Sequence, residues 1–140
     1  MSRRKSRELA VQMLYQVEMT GYKPDEAQKL YMNNFNPPDE LRAFADKLVR
    51  GVCEQRTEID KLISKTAKNW SLTRITPVDR CILRVAVYEM IHCADIRYKV
   101  TLNEAIELGK KFGTEKSGAF INGVLDNVLA QNPELDKKIR

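Results

Sequence analysis

The sequence predicts an all-α protein, and three features of its 140 residues support that prediction. Apolar residues return at intervals of three and four positions through most of the chain, which is the spacing of an amphipathic helix. Glycine and proline, the residues that punctuate strand-rich chains, occur only 6 and 5 times. No segment keeps the strict alternation of apolar and polar residues that is typical of a half-buried strand.

The first half of the chain predicts four helices. The first covers residues 3–20, ends at Gly21 and carries one apolar stripe, formed by Leu9, Ala10, Met13, Leu14 and Val17. The second begins at Pro24, where proline followed by two acidic residues suits a helix N-terminus. Apolar residues at helical spacing predict a third helix over residues 38–55 and a fourth over residues 58–68.

The next helix has the clearest start signal in the sequence. Thr76 can cap it, Pro77 suits its first position, and Asp79 can complete an acidic variant of the capping box. The helix, over residues 78–91, is apolar on more than one face. We therefore expect it to lie at the centre of the fold, surrounded by other helices.

Two more helices complete the second half. A second capping box, the sequence TLNE at residues 101–104, predicts the start of a helix that stops at Gly113. The last helix is predicted over residues 115–131. The chain length fits a single domain over residues 1–140. We place a seam in the loop around residues 70–76.

This seam gives an N-terminal helical half of about residues 1–70, closed by Trp70, and a C-terminal half of about residues 71–140. The central helix carries Arg80 and Arg84, and a buried arginine needs a charged partner. We expect Glu104 or Glu107 on the following helix to supply it. This interpretation makes the arginines structural rather than catalytic.

Composition limits the class of protein. With 43% hydrophobic and 31% charged residues the chain is globular, and its apolar stretches are too short to cross a membrane. The basic start lacks the apolar core of a secretory signal, so we expect a cytoplasmic protein. The three cysteines are odd in number and widely spaced, and we expect them to be reduced and structural.

Nothing in the sequence predicts an enzyme. The chain has one histidine, His92, without neighbours at metal-ligand spacing, and we expect it to be structural or exposed. The sequence GTEKSG at residues 113–118 lacks the residue order of a phosphate-binding loop and follows a helix instead of a strand. We therefore expect no catalytic residues, no cofactor and no metal.

The distribution of positive charge favours a polyanionic partner. The net charge is +5, and Arg3, Arg4, Lys5 and Arg7 crowd the start of the first helix, where the helix dipole disfavours cations. Such placement indicates a binding role, although a solvated, frayed terminus explains the same pattern. Tyr15 can lie on the same side and stack on an RNA base, or it can fill the edge of the core.

Four segments, in order, resemble the NusB family along nearly the whole chain. They are RRKSRELAVQMLY at residues 3–15, VDRCILRVAVYE at residues 78–89, VTLNEAIEL at residues 100–108 continuing through KFG at 111–113, and Ser117 with FINGVLD at residues 120–126. Each segment alone is a weak match. Four in the correct order over a chain of the right length make a specific resemblance.

The resemblance implies a fold of two small helical bundles packed into one domain. It also implies a transcription antitermination factor that binds single-stranded boxA RNA of nascent transcripts together with NusE, a small-subunit ribosomal protein. Such a factor acts indirectly on the RNA polymerase elongation complex and promotes processive transcription of ribosomal RNA operons. The family's RNA-binding surface, carried over to this sequence, comprises Arg3, Arg4, Lys5, Arg7, Gln12, Tyr15, Ser117, Phe120 and Asn122.

Some positions depart from the family pattern. Arg97 stands where proline is frequent, Gly109 where alanine is common, and Lys116 adds a charge beside the implied RNA surface. A glycine inside a helix costs about 0.5–1 kcal/mol unless a neighbouring backbone needs the space. Two alternatives stay open, a helical protein-interaction module whose basic end is incidental and a self-associating scaffold such as a homodimer.

Overall fold

The computed structural model describes residues 3–67 and 74–137, and all regular structure in these two segments is helical. The all-α prediction is therefore confirmed. Within the described segments, seven α-helices precede a short 3-10 helix at Pro133–Lys137. Their bounds are α1 Arg3–Thr20, α2 Pro24–Phe35, α3 Asp39–Glu54, α4 Arg56–Thr66, α5 Pro77–His92, α6 Tyr98–Phe112 and α7 Ser117–Gln131.

Local chemistry explains most of the helix ends. Gly21 follows α1 with a φ of 75°, a left-handed conformation that glycine adopts without strain. At the start of α2, the Glu26 side chain accepts a hydrogen bond of 3.0 Å from the Lys23 backbone N–H. At the start of α5, the Thr76 hydroxyl accepts the Asp79 N–H at 3.3 Å, which confirms the predicted cap.

The predicted start of α6 was wrong by one turn. The helix begins at Tyr98, so Thr101 lies within it instead of capping it. The Thr101 side chain is buried and its hydroxyl donates a hydrogen bond of 3.0 Å to the Glu89 carboxylate. Because this hydroxyl is engaged in a contact between helices, it is not available to cap its own helix.

Helix α5 is central, as predicted. It packs against α1, α3, α4, α6 and α7, and every residue from 81 to 90 is buried. Its neighbours each contribute a narrower apolar stripe to the same core. Helices α6 and α7 also pack closely at Gly109. A Cβ on this residue would lie 2.8 Å from Ile121 Cδ1 and 3.4 Å from the Gly118 nitrogen. The space beside Gly109 is therefore occupied by the neighbouring helix.

The arginines of α5 do have carboxylate partners, but not the predicted ones. Arg80 Nε donates to Glu18 Oε1 at 2.8 Å, and Arg84 pairs in a bidentate manner with Asp60 at 2.9 and 3.1 Å. The expectation that Glu104 or Glu107 would supply the partner was wrong. Glu18 lies near the end of α1, which runs antiparallel to α5 and brings that carboxylate to the start of α5.

The predicted seam covers residues 70–76, and its first four residues, Trp70 included, lie outside the described segments. The division into halves at about residue 70 therefore stays a prediction. Helix α5, from the second half, contacts α1, α3 and α4 of the first. None of the helices within the described segments has the length and apolar character needed to span a bilayer.

Candidate nucleic-acid interface

Three cations at the start of α1 are exposed, and each is held by a carboxylate. Arg3 pairs with Asp95 at 3.0 Å, and Lys5 lies 3.6 Å from Glu8. Arg4 binds Glu104 through two hydrogen bonds of 3.0 and 2.7 Å. The carboxylates offset the repulsion that the helix dipole imposes on cations at this end.

Two of these ion pairs, those of Arg4 and Arg3, lower the pKa of the carboxyl that they bind. The hydrogen bond from Arg4 lowers the pKa of Glu104, against the effect of burial, which raises it. The hydrogen bond from Arg3 likewise lowers the pKa of Asp95. Both carboxyls are therefore ionised at neutral pH. The basic end of α1 is thus part of a network of alternating charges. It extends to Asp95 in the loop before α6 and to Glu104 within α6.

Arg7 lies on the inner side of α1. Its side chain is 5% exposed, and its Nε and one terminal nitrogen donate to the two Glu89 oxygens at 2.6 and 3.0 Å. Arg7 also lies 3.6 Å from Glu104, and its Cζ is 5.6 Å from the centre of the Phe44 ring. The guanidinium thus joins α1 to α5 and α6, and in this conformation it does not present itself to an external ligand.

Gln12 and Tyr15 follow Glu8 on one face of α1, because they stand four and seven positions after it. Gln12 is partly exposed, and 37% of Tyr15 is exposed. Glu8 accepts a hydrogen bond of 3.0 Å from Lys111 Nζ, near the end of α6. This contact places the end of α6 beside the α1 face that carries the exposed glutamine and tyrosine.

Ser117 at the start of α7 is buried and engaged within the protein. Its hydroxyl accepts the Thr114 N–H at 2.9 Å and closes the turn between α6 and α7. A Cβ on Gly113 would lie 2.2 Å from this hydroxyl, so the turn requires glycine at that position. Ser117 shapes the turn and leaves the neighbouring Lys116 exposed.

Phe120 and Asn122 stand on opposite edges of α7. Two positions on a helix are about 200° apart, and the buried stripe between them consists of Ser117, Ile121, Val124, Leu125 and Val128. Both residues are partly exposed. Phe120 shares its edge with Lys116, whereas Asn122 lies on the edge of Gly118, which packs toward α6. The structure therefore does not bring these two predicted contacts to one flat surface.

The other candidates from the sequence have local explanations. His92 Nε2 lies 3.1 Å from Glu58 Oε1, and its ring centroid is 5.1 Å from that of Tyr88. Burial raises the pKa of Cys81 to about 12, so this thiol stays protonated at neutral pH. In the described part of the chain, no three His, Cys, Asp or Glu side chains are grouped so that they could hold a metal ion.

The link that Glu8 and Lys111 form between α1 and α6 was not predicted from the sequence. Glu8 stands in the basic opening segment, three positions after Lys5 and four before Gln12. An acid at this spacing within a run of cations is a signal for local ion pairing. The contact from Lys111 depends on the packing of α6, which the spacing does not give.

Comparison with known proteins agrees with these observations. The family model described as the NusB family matches residues 4–130. The chain is 45% identical to the transcription antitermination protein NusB of Desulfatibacillum aliphaticivorans, with 97% of both chains covered. It is 48% identical to that of Geobacter sulfurreducens, with 95% of this chain and 97% of the relative covered.

Solved structures give the same result. NusB of T. maritima superposes with a TM-score of 0.86 at 35% identity, covering 94% of this chain and 92% of that one. A chain from the crystal structure of antitermination factors NusB and NusE with double-stranded RNA gives a TM-score of 0.85 at 30% identity. That match covers 92% of this chain and 96% of the other. The chain belongs to the NusB family.

Proposed function

We propose that this protein is a transcription antitermination factor. It binds single-stranded boxA RNA of nascent transcripts together with NusE and promotes processive transcription of ribosomal RNA operons. The observation that carries the proposal is the near full-length match to transcription antitermination protein NusB, and a crystal structure of NusB and NusE with double-stranded RNA supports the choice of partners. The role is one of binding, and the chemistry it needs is recognition of phosphates and unpaired bases.

The electrostatic part of the binding comes from the exposed cations of α1, the end of α6 and the α6–α7 turn. They are Arg3, Arg4, Lys5, Lys111 and Lys116. The first four are paired with carboxylates in the free protein, so a phosphate has to replace Asp95, Glu104 or Glu8 at each contact. Ion-pair exchange of this kind moderates affinity for arbitrary RNA, because each phosphate contact at one of these four cations costs an existing pair.

Sequence preference needs contacts to the bases. Tyr15 offers an exposed ring for stacking, and Gln12, one turn before it, can hydrogen-bond a base edge. Phe120 adds a second, partly exposed ring on the edge of α7 that Lys116 shares. Arg7 and Ser117 act by positioning α1 and the α6–α7 turn, and Asn122 contributes only if the RNA reaches the α6 edge of α7.

The test is binding to a boxA-like strand and to a scrambled strand, with and without NusE, over a range of salt. We expect preference for the boxA-like strand, and we expect NusE to sharpen it. Three to five phosphate contacts give a slope of log K against log salt of about −2 to −3.5, since each contact on a single strand contributes about −0.7.

A matched pair of triple variants locates the site. Replacing Arg3, Arg4 and Lys5 with glutamine should weaken binding and reduce the salt slope by about 2. Replacing three exposed lysines that lie elsewhere, Lys29, Lys61 and Lys65, removes the same charge and should leave the slope unchanged. Equal, weak binding of both strands, unchanged by NusE, would contradict the proposal and favour a helical interaction module.

A further inference from the structure

An open groove of about 490 Å³ lies between the first turn of α1 and the first half of α3. Its volume falls within the range of about 300–1,000 Å³ that small-ligand sites occupy. Arg3 and Ser6 line it from α1, and Leu41, Phe44 and Lys47 line it from α3. Of these residues, only Arg3 belongs to the surface proposed above, so the groove extends that surface onto a second helix.

Arg3 is held in place at the mouth of this groove. Its Cζ lies over the Phe44 ring, 4.6 Å from the ring centre, and its terminal nitrogen donates to Asp95 at 3.0 Å. About half of the Arg3 side chain is exposed. A guanidinium supported by a ring on one side can stack an unpaired base on the other, because bases stack on arginine planes as they do on aromatic rings.

Lys47 supplies a cation at the same end of the groove. It is exposed, it has no ion pair within the described segments, and it stands one turn after Phe44. Its charge contributes, after that of Arg3, to the lowered pKa of Asp95, which places it near the pair that Arg3 and Asp95 form. Lys47 is therefore a cation that can bind a phosphate without giving up a carboxylate.

The two ends of the groove differ in charge. Glu40 lines its far end, seven positions before Lys47, which is about 10 Å along the axis of α3. The Glu40 carboxylate repels phosphates, whereas at the other end the two cations Arg3 and Lys47 outnumber the single carboxylate of Asp95 and attract phosphates. A strand that enters beside Arg3 is thus held at the Lys47 end and leaves the groove before it reaches Glu40.

We propose that the groove between α1 and α3 accepts one unpaired nucleotide of the bound RNA, with its base stacked on Arg3 and its phosphate on Lys47. The proposal rests on the RNA-binding function above and adds a nucleotide site outside the surface that the family resemblance implies. It makes α3 a part of the RNA-binding surface and Lys47 a contact residue.

The experiment measures the affinity of the full chain for a boxA-like single strand over a range of salt. Lys47→Gln should weaken binding severalfold and reduce the salt slope by about 0.7, the contribution of one phosphate contact. Lys61→Gln, at an exposed lysine of α4, is the matched control and should change neither quantity. If Lys47→Gln behaves like Lys61→Gln while the wild-type protein prefers boxA, the groove proposal is overturned and the function stands.

Arg3→Lys separates stacking from charge. It keeps the positive charge but removes the planar group, so affinity should fall about fivefold or more at an unchanged salt slope. Trimming the RNA by one nucleotide at the end that reaches the groove should abolish the effect of both variants. An Arg3→Lys protein with wild-type affinity would overturn the stacking part, and a wild-type protein that does not distinguish boxA from a scrambled strand would overturn the function itself.

Discussion

Replacing Glu89 with alanine should lower the free energy of unfolding by about 3–5 kcal/mol. This is a large share of the total for a typical domain, which is about 5–15 kcal/mol. The Glu89 side chain is 1% exposed and accepts hydrogen bonds from Arg7 at 2.6 and 3.0 Å and from Thr101 at 3.0 Å. Its removal leaves a buried guanidinium without its main counter-charge. Glu104, 3.6 Å from Arg7, compensates in part, which favours the lower end of that range.

Urea unfolding followed by circular dichroism measures this loss, provided that the m-value stays constant. A double variant, Arg7→Met with Glu89→Leu, removes both charges and should recover most of the stability, because no buried charge is left unpaired. Glu107→Ala is the control, since its pair with Lys110 is exposed and is worth about 0–1 kcal/mol. A loss below about 1 kcal/mol for Glu89→Ala would refute the reasoning.

Three further predictions test helix ends, packing and charge. Thr76→Ala removes the cap of α5 and should lower the free energy of unfolding by about 0.5–2 kcal/mol in the same assay, whereas Thr76→Ser should not. Gly51→Ala places a Cβ 2.2 Å from the Tyr88 ring and should cost about 1–3 kcal/mol, which Tyr88→Leu in the same chain should partly relieve. Arg4 lowers the pKa of Glu104 in the folded state. The ionised Glu104 side chain therefore stabilises the protein fully at pH values above the pKa of glutamate in the unfolded chain, about 4.3. This stabilisation is lost as the pH falls through the lower pKa of the folded state. Glu104→Gln should therefore be less stable than wild type at pH 7 and equal to it in acid, and a difference that persists in acid would contradict the ion-pair explanation.

Periodicity and end signals predicted the helices because both depend on neighbours in sequence. The start of α5 at Thr76 and the end of α1 at Gly21 were correct for that reason. The start of α6 was wrong because Thr101 has the correct sequence context for a cap but bonds to another helix. A capping signal predicts what a side chain can do locally, and a buried carboxylate nearby decides what it does.

The exposure of Arg3, Arg4 and Lys5 followed from the basic opening segment, but the burial of Arg7 did not. A signal for it was present, since Arg7 stands three, four and seven positions before Ala10, Val11 and Leu14, all of which are buried. An arginine on an apolar stripe is typical of a buried pair. Its partner Glu89 lies 82 positions away, and no local pattern gives a contact of that range.

The charge pairs between α1 and α5 favour the antiparallel orientation of the two helices. Arg7 near the start of α1 meets Glu89 near the end of α5, and Glu18 near the end of α1 meets Arg80 and Arg84 in the first half of α5. Parallel packing would place Arg7 toward the two α5 arginines and Glu18 toward Glu89. Like charges, buried or partly buried, would then face each other at both ends, at a cost of several kcal/mol.

This arrangement links the core to the proposed function. An α1 helix fixed at both ends by pairs of opposite polarity cannot slide or turn without breaking a buried ion pair. Its outer face, with Gln12 and Tyr15, is then held in one position relative to the end of α6. The double variant Arg7→Glu with Glu89→Arg exchanges the two charges and keeps the ion pair between α1 and α5. It places a carboxylate at position 7, however, where it would be repelled by Glu104. The exchanged protein should be less stable than wild type and should bind RNA more weakly, whereas wild-type behaviour in both would show that the pair acts without regard to its direction.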